Sequence, residues 1–176
     1  MSSEFERTGD EVVHEGAIFT VHSETFRHSD GEEVTREIVR HQGAVGVVAH
    51  DGERLWLVRQ PREAVGVPDL LELPAGKLDV EGEEPLATAK RELAEEIGKA
   101  AEDWAHLVSF FTSPGFTDEE CHVYLATGLS DVTAETDEHE RIDIVTRPLA
   151  ELDELIGETR DSKTLIGLLE LRRRLG

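Results

Sequence analysis

At 176 residues and 38% hydrophobic content, the chain has room for one domain with a real core and a small appended piece. Its formal net charge of −21 excludes the basic footprint that a nucleic-acid backbone requires, and no apolar run approaches the length of a membrane span. Cys121 is the one cysteine, which excludes an intrachain disulfide and a cysteine-rich zinc site and makes a reducing cytoplasm the expected compartment.

The opening stretch, MSSEFERTGDEVV, is polar and acidic, so a secretory leader is not expected. Residues 1–42 read as a separate β piece. A strand over 17–21 continues through 24–27 into a turn at Ser29-Asp30-Gly31, and 34–39 alternates like the returning strand of a hairpin. An isolated hairpin is marginal in water, so this piece must form its own domain or lie on a second subunit. His41-Gln42-Gly43 marks the junction, and 43–176 form the main domain.

In that domain, 44–49 is a buried-type strand, followed by an Asp51-Gly52 turn and a second strand over 55–58. Pro61 ends regular pairing there, residues 63–69 look loop-like, and Leu70-Leu71-Glu72-Leu73-Pro74-Ala75 leads onward. The next stretch, GKLDVEGEEPLATAKRELAEEIG over 76–98, holds a helix with Pro85 in its first turn and Gly98 as a left-handed stop. Further strands are expected over 107–111, 122–127 and 142–145. A loop over 113–119 and an acidic loop over 130–140 separate them. Helices over 149–156 and 162–175 close the chain, the second with a leucine stripe and a basic end at Arg172-Arg173-Arg174. Strands mixed with these helices predict an α/β or α+β fold with helices covering a mixed sheet.

Glu92, Glu95 and Glu96 lie three and four residues apart and share one helix face. Like charges at that spacing repel. Two readings stand: a solvated face of a surface helix, or an oxygen cage for a hard divalent cation such as Mg²⁺.

The whole stretch decides between them. Arg91-Glu92-Leu93-Ala94-Glu95-Glu96-Ile97-Gly98, with Glu83 and Gly76 upstream, resembles the Nudix box, the signature of hydrolases acting on nucleoside diphosphates linked to another group. It departs from the usual pattern in two places. Six residues instead of five separate Gly76 from Glu83, and Lys99 stands where an apolar residue is usual. The extra residue lies in the turn before the helix and should leave the helical glutamates in place. Beyond the box, the segments around Arg36-Glu37-Ile38-Val39, His41-Gln42-Gly43, Val58-Arg59-Gln60-Pro61-Arg62 and Glu72-Leu73-Pro74-Ala75-Gly76 are similar to the ADP-ribose pyrophosphatase branch of that family. So is Ser113-Pro114-Gly115-Phe116, with Pro114 sixteen residues after Gly98.

The resemblance implies an α/β/α sandwich with a mixed sheet and hydrolysis of ADP-ribose to AMP and ribose 5-phosphate with Mg²⁺ or Mn²⁺. It also implies a homodimer whose N-terminal strands exchange or reach across to the partner, which would supply residues 1–42 with a surface to lie on. By matched position, Glu92 and Glu96 are the principal metal ligands, with Glu95 beside them and the Ala75 carbonyl completing the set. Arg91 would be structural, pairing with a carboxylate such as Glu83. Arg62 would contact phosphate, Arg36 would meet the adenine from the other subunit, Glu119 would contact ribose, and Phe19 is a further stacking candidate. Glu138 would be the base that readies the water and Glu140 an additional metal ligand, although Glu135 and Asp137 are near enough in the loop to exchange roles.

Rival readings keep the same box. The substrate could be another nucleoside diphosphate sugar, such as GDP-mannose or UDP-glucose, since few side chains read the base and sugar. A non-catalytic sensor that binds ADP-ribose and regulates a partner is a different class. Against it, every box glutamate is present and no basic helix-turn-helix stretch is found.

Overall fold

The structure, a computed structural model, describes residues 4–134 and 141–176. The chain divides into two compact units, one running to Gly43 and including Phe111–Glu120, the other holding Ala44–Phe110 and Cys121–Gly176.

The first unit is an antiparallel sheet of β1 (Phe5–Glu15), β2 (Phe19–His28) and β3 (Glu33–His41), with β2 in the middle. The expected turn joins β2 to β3. Gly31 takes a positive φ of 90° and donates its N–H to the His28 carbonyl at 2.9 Å, while Asp30 Oδ1 accepts the Glu32 N–H at 3.0 Å. The third strand, β1, is not visible in the sequence pattern. Nearly all of its side chains are exposed, so burial selects no face and no alternation results. At the other edge, the 111–120 segment docks on β3. The Val39 N–H donates to the Phe116 carbonyl at 2.7 Å, and the Asp118 N–H to the Val39 carbonyl at 3.3 Å.

One buried acid organises this unit. Glu24 is fully buried in β2, and its Oε1 accepts Arg40 Nε at 2.9 Å. The same guanidinium reaches Asp118 Oδ2 at 3.0 Å, and Asp118 Oδ1 takes the His41 N–H at 2.9 Å. Arg7 lies 3.4 Å from Glu24 Oε2, so two arginines offset one buried carboxylate.

The second unit is built on β4 (Ala44–His50), whose residues are buried on both faces until His50. Around it run β5 (Arg54–Arg62), β6 (Val67–Glu72), β7 (Ala75–Lys77), β8 (Lys99–Phe111), β9 (Glu120–Asp131) and β10 (Asp143–Pro148). The sheet order is β10-β5-β4-β9-β8, with β6 on β5 and β7 on β4. The β4–β9 pair is parallel and the β4–β5 pair antiparallel, so the sheet is mixed. The loop expected over 63–69 is instead a single 3₁₀ turn, Glu63–Val65, followed by β6, because Gly66 reverses the chain in the left-handed region and lets it return along β5.

Strand alternation divides the core between two faces. Val45, Val47, Ala49, Val58 and Ala126 meet Ala89, Leu93 and Ile97 of α1 (Pro85–Ile97). On the opposite face, Val48, Leu55, Leu57, Leu73 and Val123 meet α2 (Leu152–Glu158) and α3 (Ser162–Leu175) through Leu155, Leu168 and Leu171. The result is a three-layer α/β/α sandwich. Both ends of α1 follow the expected chemistry. Pro85 occupies the first turn, and Gly98 (φ 64°) returns its N–H to Ala94. No helix among the described residues is long and apolar enough to cross a membrane.

Gly167 sets how closely α3 approaches the sheet. A Cβ there would lie 2.7 Å from Leu73 Cδ1 and 3.0 Å from Val48 Cγ2. Alanine at an open helix position would gain about 1 kcal/mol over glycine, but overpacking this contact costs about 1–3 kcal/mol. Gly167→Ala is therefore expected to lower stability by about 1 kcal/mol in urea unfolding, the reverse of the helix-propensity effect.

Candidate active site

The Gly76–Gly98 stretch becomes a turn on the edge of β7 followed by α1, and its acids meet that turn closely. Glu96, largely buried, accepts the Ala75 N–H on Oε2 at 2.9 Å. Glu92 fills the space beside Gly76, where a Cβ would stand 2.0 Å from the Glu92 Cδ. Gly76 is thus required by close approach, since its own backbone needs no positive φ. Glu95 lies one turn from Arg91 and accepts its Nη1 at 2.9 Å.

Arg91 neutralises this cluster. Its Nη1 also donates to Glu92 Oε1 at 2.8 Å, and its Nη2 to Glu83 Oε2 at 3.2 Å. Burial opposes the guanidinium charge, but Glu83, Glu92 and Glu95 outweigh it and raise the pKa of Arg91 further. Glu83 is held below the usual carboxylate range, first by the Thr88 hydroxyl at 2.8 Å and then by Arg91. The expected Arg91–Glu83 pairing is therefore present, and it fixes the pre-helix turn to α1.

The carboxylates of Glu92 and Glu96 are oxygen donors seated beside the Gly76 and Ala75 backbone, while Glu95, on the same helix face, is turned to Arg91. That donor set fits a hard divalent cation, which the acids on α1 and the Ala75 carbonyl could hold together.

A second constellation, not anticipated from sequence, adjoins this turn. Glu72 is fully buried at the end of β6 and receives both Nε (2.6 Å) and Nη2 (2.7 Å) of Arg62. Lys163 Nζ lies 3.5 Å from Glu72 Oε2 and 2.8 Å from Asp161 Oδ1. Asp161 caps α3, accepting the Thr164 N–H at 2.9 Å and its hydroxyl at 2.8 Å, while that hydroxyl oxygen accepts the Leu73 N–H at 2.9 Å. Burial would raise the Asp161 pKa, but Lys163 and Thr164 prevail and hold it below the usual range. For Lys163, burial would lower the pKa, but Asp161 and Glu72 prevail and raise it. One signal for this group was present in the sequence: Glu72 is a lone acid inside the otherwise apolar 70–75 run.

The remaining expected residues fall in several places. In the first unit, Arg36 lines a cavity of about 340 Å³ with Phe5, Phe26, His28, Pro114 and Phe116. Phe19 is outside that lining and faces His14 instead. Glu119, also in the first unit, accepts the Thr112 hydroxyl at 2.7 Å and lies 3.8 Å from His41 Nδ1. Glu138 and Glu140, with Glu135 and Asp137, lie outside the described residues.

Two predictions follow from this geometry. In Gly76→Ala, the methyl group must displace Glu92, so Mg²⁺ or Mn²⁺ should raise the melting temperature of the parent protein but not of the variant, with circular dichroism unchanged. The depressed Asp161 pKa means its contribution is fully present above about pH 4 and is lost as pH falls through the folded value. Asp161→Asn should therefore cost about 1–3 kcal/mol at pH 7, and its urea midpoint should converge on the parent's below about pH 4.

Comparison with known proteins places the chain. The model of the NUDIX domain matches residues 40–166. The ADP-ribose pyrophosphatase of Mycobacterium tuberculosis is 44% identical over 94% of this chain and 82% of its own length. The methanol dehydrogenase activator of Bacillus methanolicus is 41% identical over 92% of this chain and 89% of its own. Among solved structures, one described as an ADP compounds hydrolase superposes with a TM-score of 0.86 at 25% identity, covering 98% of this chain and 94% of that one. The box of acids against Ala75 and Gly76, on the α1 side of a mixed-sheet sandwich, is thus that of a family member: the chain belongs to the NUDIX domain family.

Proposed function

We propose that this protein is a Nudix pyrophosphatase that hydrolyses ADP-ribose to AMP and ribose 5-phosphate. The observation that carries this reading is the close seating of Glu92 and Glu96 against Gly76 and Ala75, in a chain 44% identical to an ADP-ribose pyrophosphatase. A Mg²⁺ or Mn²⁺ ion held by Glu92, Glu95, Glu96 and the Ala75 carbonyl, with Glu140 as a further ligand, would supply charge neutralisation for the diphosphate and acidify water.

The chain's own groups do the rest. Arg62 contacts the diphosphate. Its Nε–Nη2 edge is committed to Glu72, which leaves Nη1 for a phosphate oxygen. Glu138 takes the proton from the attacking water, Glu119 contacts the ribose, and Arg36 stacks on the adenine. The cavity around Arg36 supports the last role, since Phe5, Phe26 and Phe116 give it aromatic walls. In this reading the N-terminal strands of a homodimer are exchanged, so that Arg36 of the partner subunit completes each site, with residues 1–42 as the dimerising piece and 43–176 as the catalytic domain.

A regulatory role is the second reading, because one relative carries the name of a dehydrogenase activator. Turnover separates the two. With Mg²⁺ or Mn²⁺ present, ADP-ribose should give AMP and ribose 5-phosphate faster than GDP-mannose, UDP-glucose or a nucleoside triphosphate, read by chromatography. Glu96→Gln should lower kcat by about 100-fold or more with the fold intact, and Arg36→Ala should raise KM about tenfold with little change in kcat. Tight ADP-ribose binding without any hydrolysis would leave the regulatory reading standing.

A further inference from the structure

Lys163 is a buried-end lysine that the reaction as described does not use. Its ammonium sits between the carboxylates of Glu72 and Asp161, at 3.5 and 2.8 Å, with its side chain 17% exposed. Glu72 in turn grips Arg62 along one edge at 2.6 and 2.7 Å, while the Arg62 side chain stays 40% exposed. The chain of contacts is therefore Asp161, Lys163, Glu72 and Arg62, with alternating charge. Glu72 is fully buried, Asp161 and Lys163 are half-buried, and Arg62 is open to solvent.

This order has a physical consequence. A carboxylate held by one arginine can slide or turn with that arginine, because both ends of the pair move together. A carboxylate also attracted to a lysine anchored at a helix cap cannot. Asp161 is fixed by the Thr164 N–H and hydroxyl, so Lys163 is fixed, so the Oε2 side of Glu72 is held from the protein interior. Arg62 then has one orientation, with its Nε–Nη2 edge inward.

We propose that Lys163 is a positioning residue for diphosphate recognition: through Glu72 it fixes the guanidinium of Arg62 so that Nη1 faces the substrate's phosphates. This rests on the reading of Arg62 given above. The ammonium need not touch substrate, and its charge is already matched by Glu72 and Asp161.

The test is a double-mutant cycle on the metal-loaded enzyme with ADP-ribose. Lys163→Met should raise KM about tenfold and leave kcat within about twofold, and Lys163→Arg should restore most of the loss. In an Arg62→Ala background, Lys163→Met should change KM by less than about twofold, because the group it positions is gone. Equal effects of Lys163→Met in both backgrounds would mean that Lys163 acts by itself and would overturn the proposal. A fall in kcat at constant KM would do the same. Should Lys163→Met fail to fold, Lys163→Gln, which can still donate to Asp161, is read by the same criteria. An Arg62→Ala variant with parental KM would overturn both this inference and the phosphate role of Arg62, whereas a raised KM there, together with no effect of Lys163→Met in the otherwise parental enzyme, would overturn this inference alone.

Discussion

Carboxylates of like charge on one face of α1, two of them seated against a backbone turn, are the constraint on which the rest of this structure depends. Glu92, Glu95 and Glu96 cannot share one helix face without neutralisation, and Arg91 supplies part of it while tying Glu83 to the same helix. The closeness of Glu92 and Glu96 to the turn requires a residue without Cβ at Gly76 and a peptide N–H at Ala75 aimed at Glu96. Neither condition survives if α1 shifts along the sheet. Ala89, Leu93 and Ile97, packed on Val45, Val47 and Ala49, prevent that shift from below. Burial of one face of α1 therefore holds the acids of the other face in an arrangement they would not adopt alone, which is the sense in which a site is preorganised.

The opposite layer holds the same turn by different means. Residues 72 and 73, just before it, are each tied to the start of α3: Glu72 through Lys163, and Leu73 through the Thr164 hydroxyl. Gly167 lets α3 come close enough for these short links to form. The turn from Glu72 to Gly76 is therefore fixed from both sides of the sheet. A buried ion-pair group is a poor source of net stability, since desolvation offsets most of the attraction. Its benefit is orientation, and the residues it orients lead directly into the acid-bearing helix.

How much of this was readable in the sequence depends on whether local periodicity carried the signal. Both long helices were legible, because Pro85, Gly98 and the leucine stripe of 162–175 act within a few residues. Helices covering a mixed sheet were legible from strand and helix order, and the α/β/α sandwich from the resemblance to the Nudix family. β1 was not, because its side chains are exposed and show no alternation. β6 was hidden by an intervening 3₁₀ turn at Glu63–Val65. The acids of α1 could be grouped by counting along the helix, but their seating against Gly76 and Ala75 is a tertiary distance. The Glu72–Lys163 contact joins residues 91 positions apart, and no spacing rule reaches that far. Arg40 was missed for the same reason, since its partners Glu24 and Asp118 lie 16 and 78 positions away.

The overall acidity makes these inner cations more consequential. A formal charge of −21 repels an anionic diphosphate during approach, but that field acts through solvent and is screened beyond about 8 Å at physiological ionic strength. Partly buried charges are screened far less. Arg62, raised in pKa first by its hydrogen bonds to Glu72 and opposed by burial, stays fully charged, and its bidentate inner edge resists reorientation. Adding salt should thus weaken the long-range repulsion more than it weakens a phosphate contact made by such a guanidinium. A surface that repels an anionic ligand and an interior that fixes one cation are compatible because the two act over different distances. If the proposed function holds, discrimination among phosphate-bearing ligands depends on what fits near Arg62 and on the aromatic walls around Arg36, while the net charge is left to govern solubility and the rate of encounter.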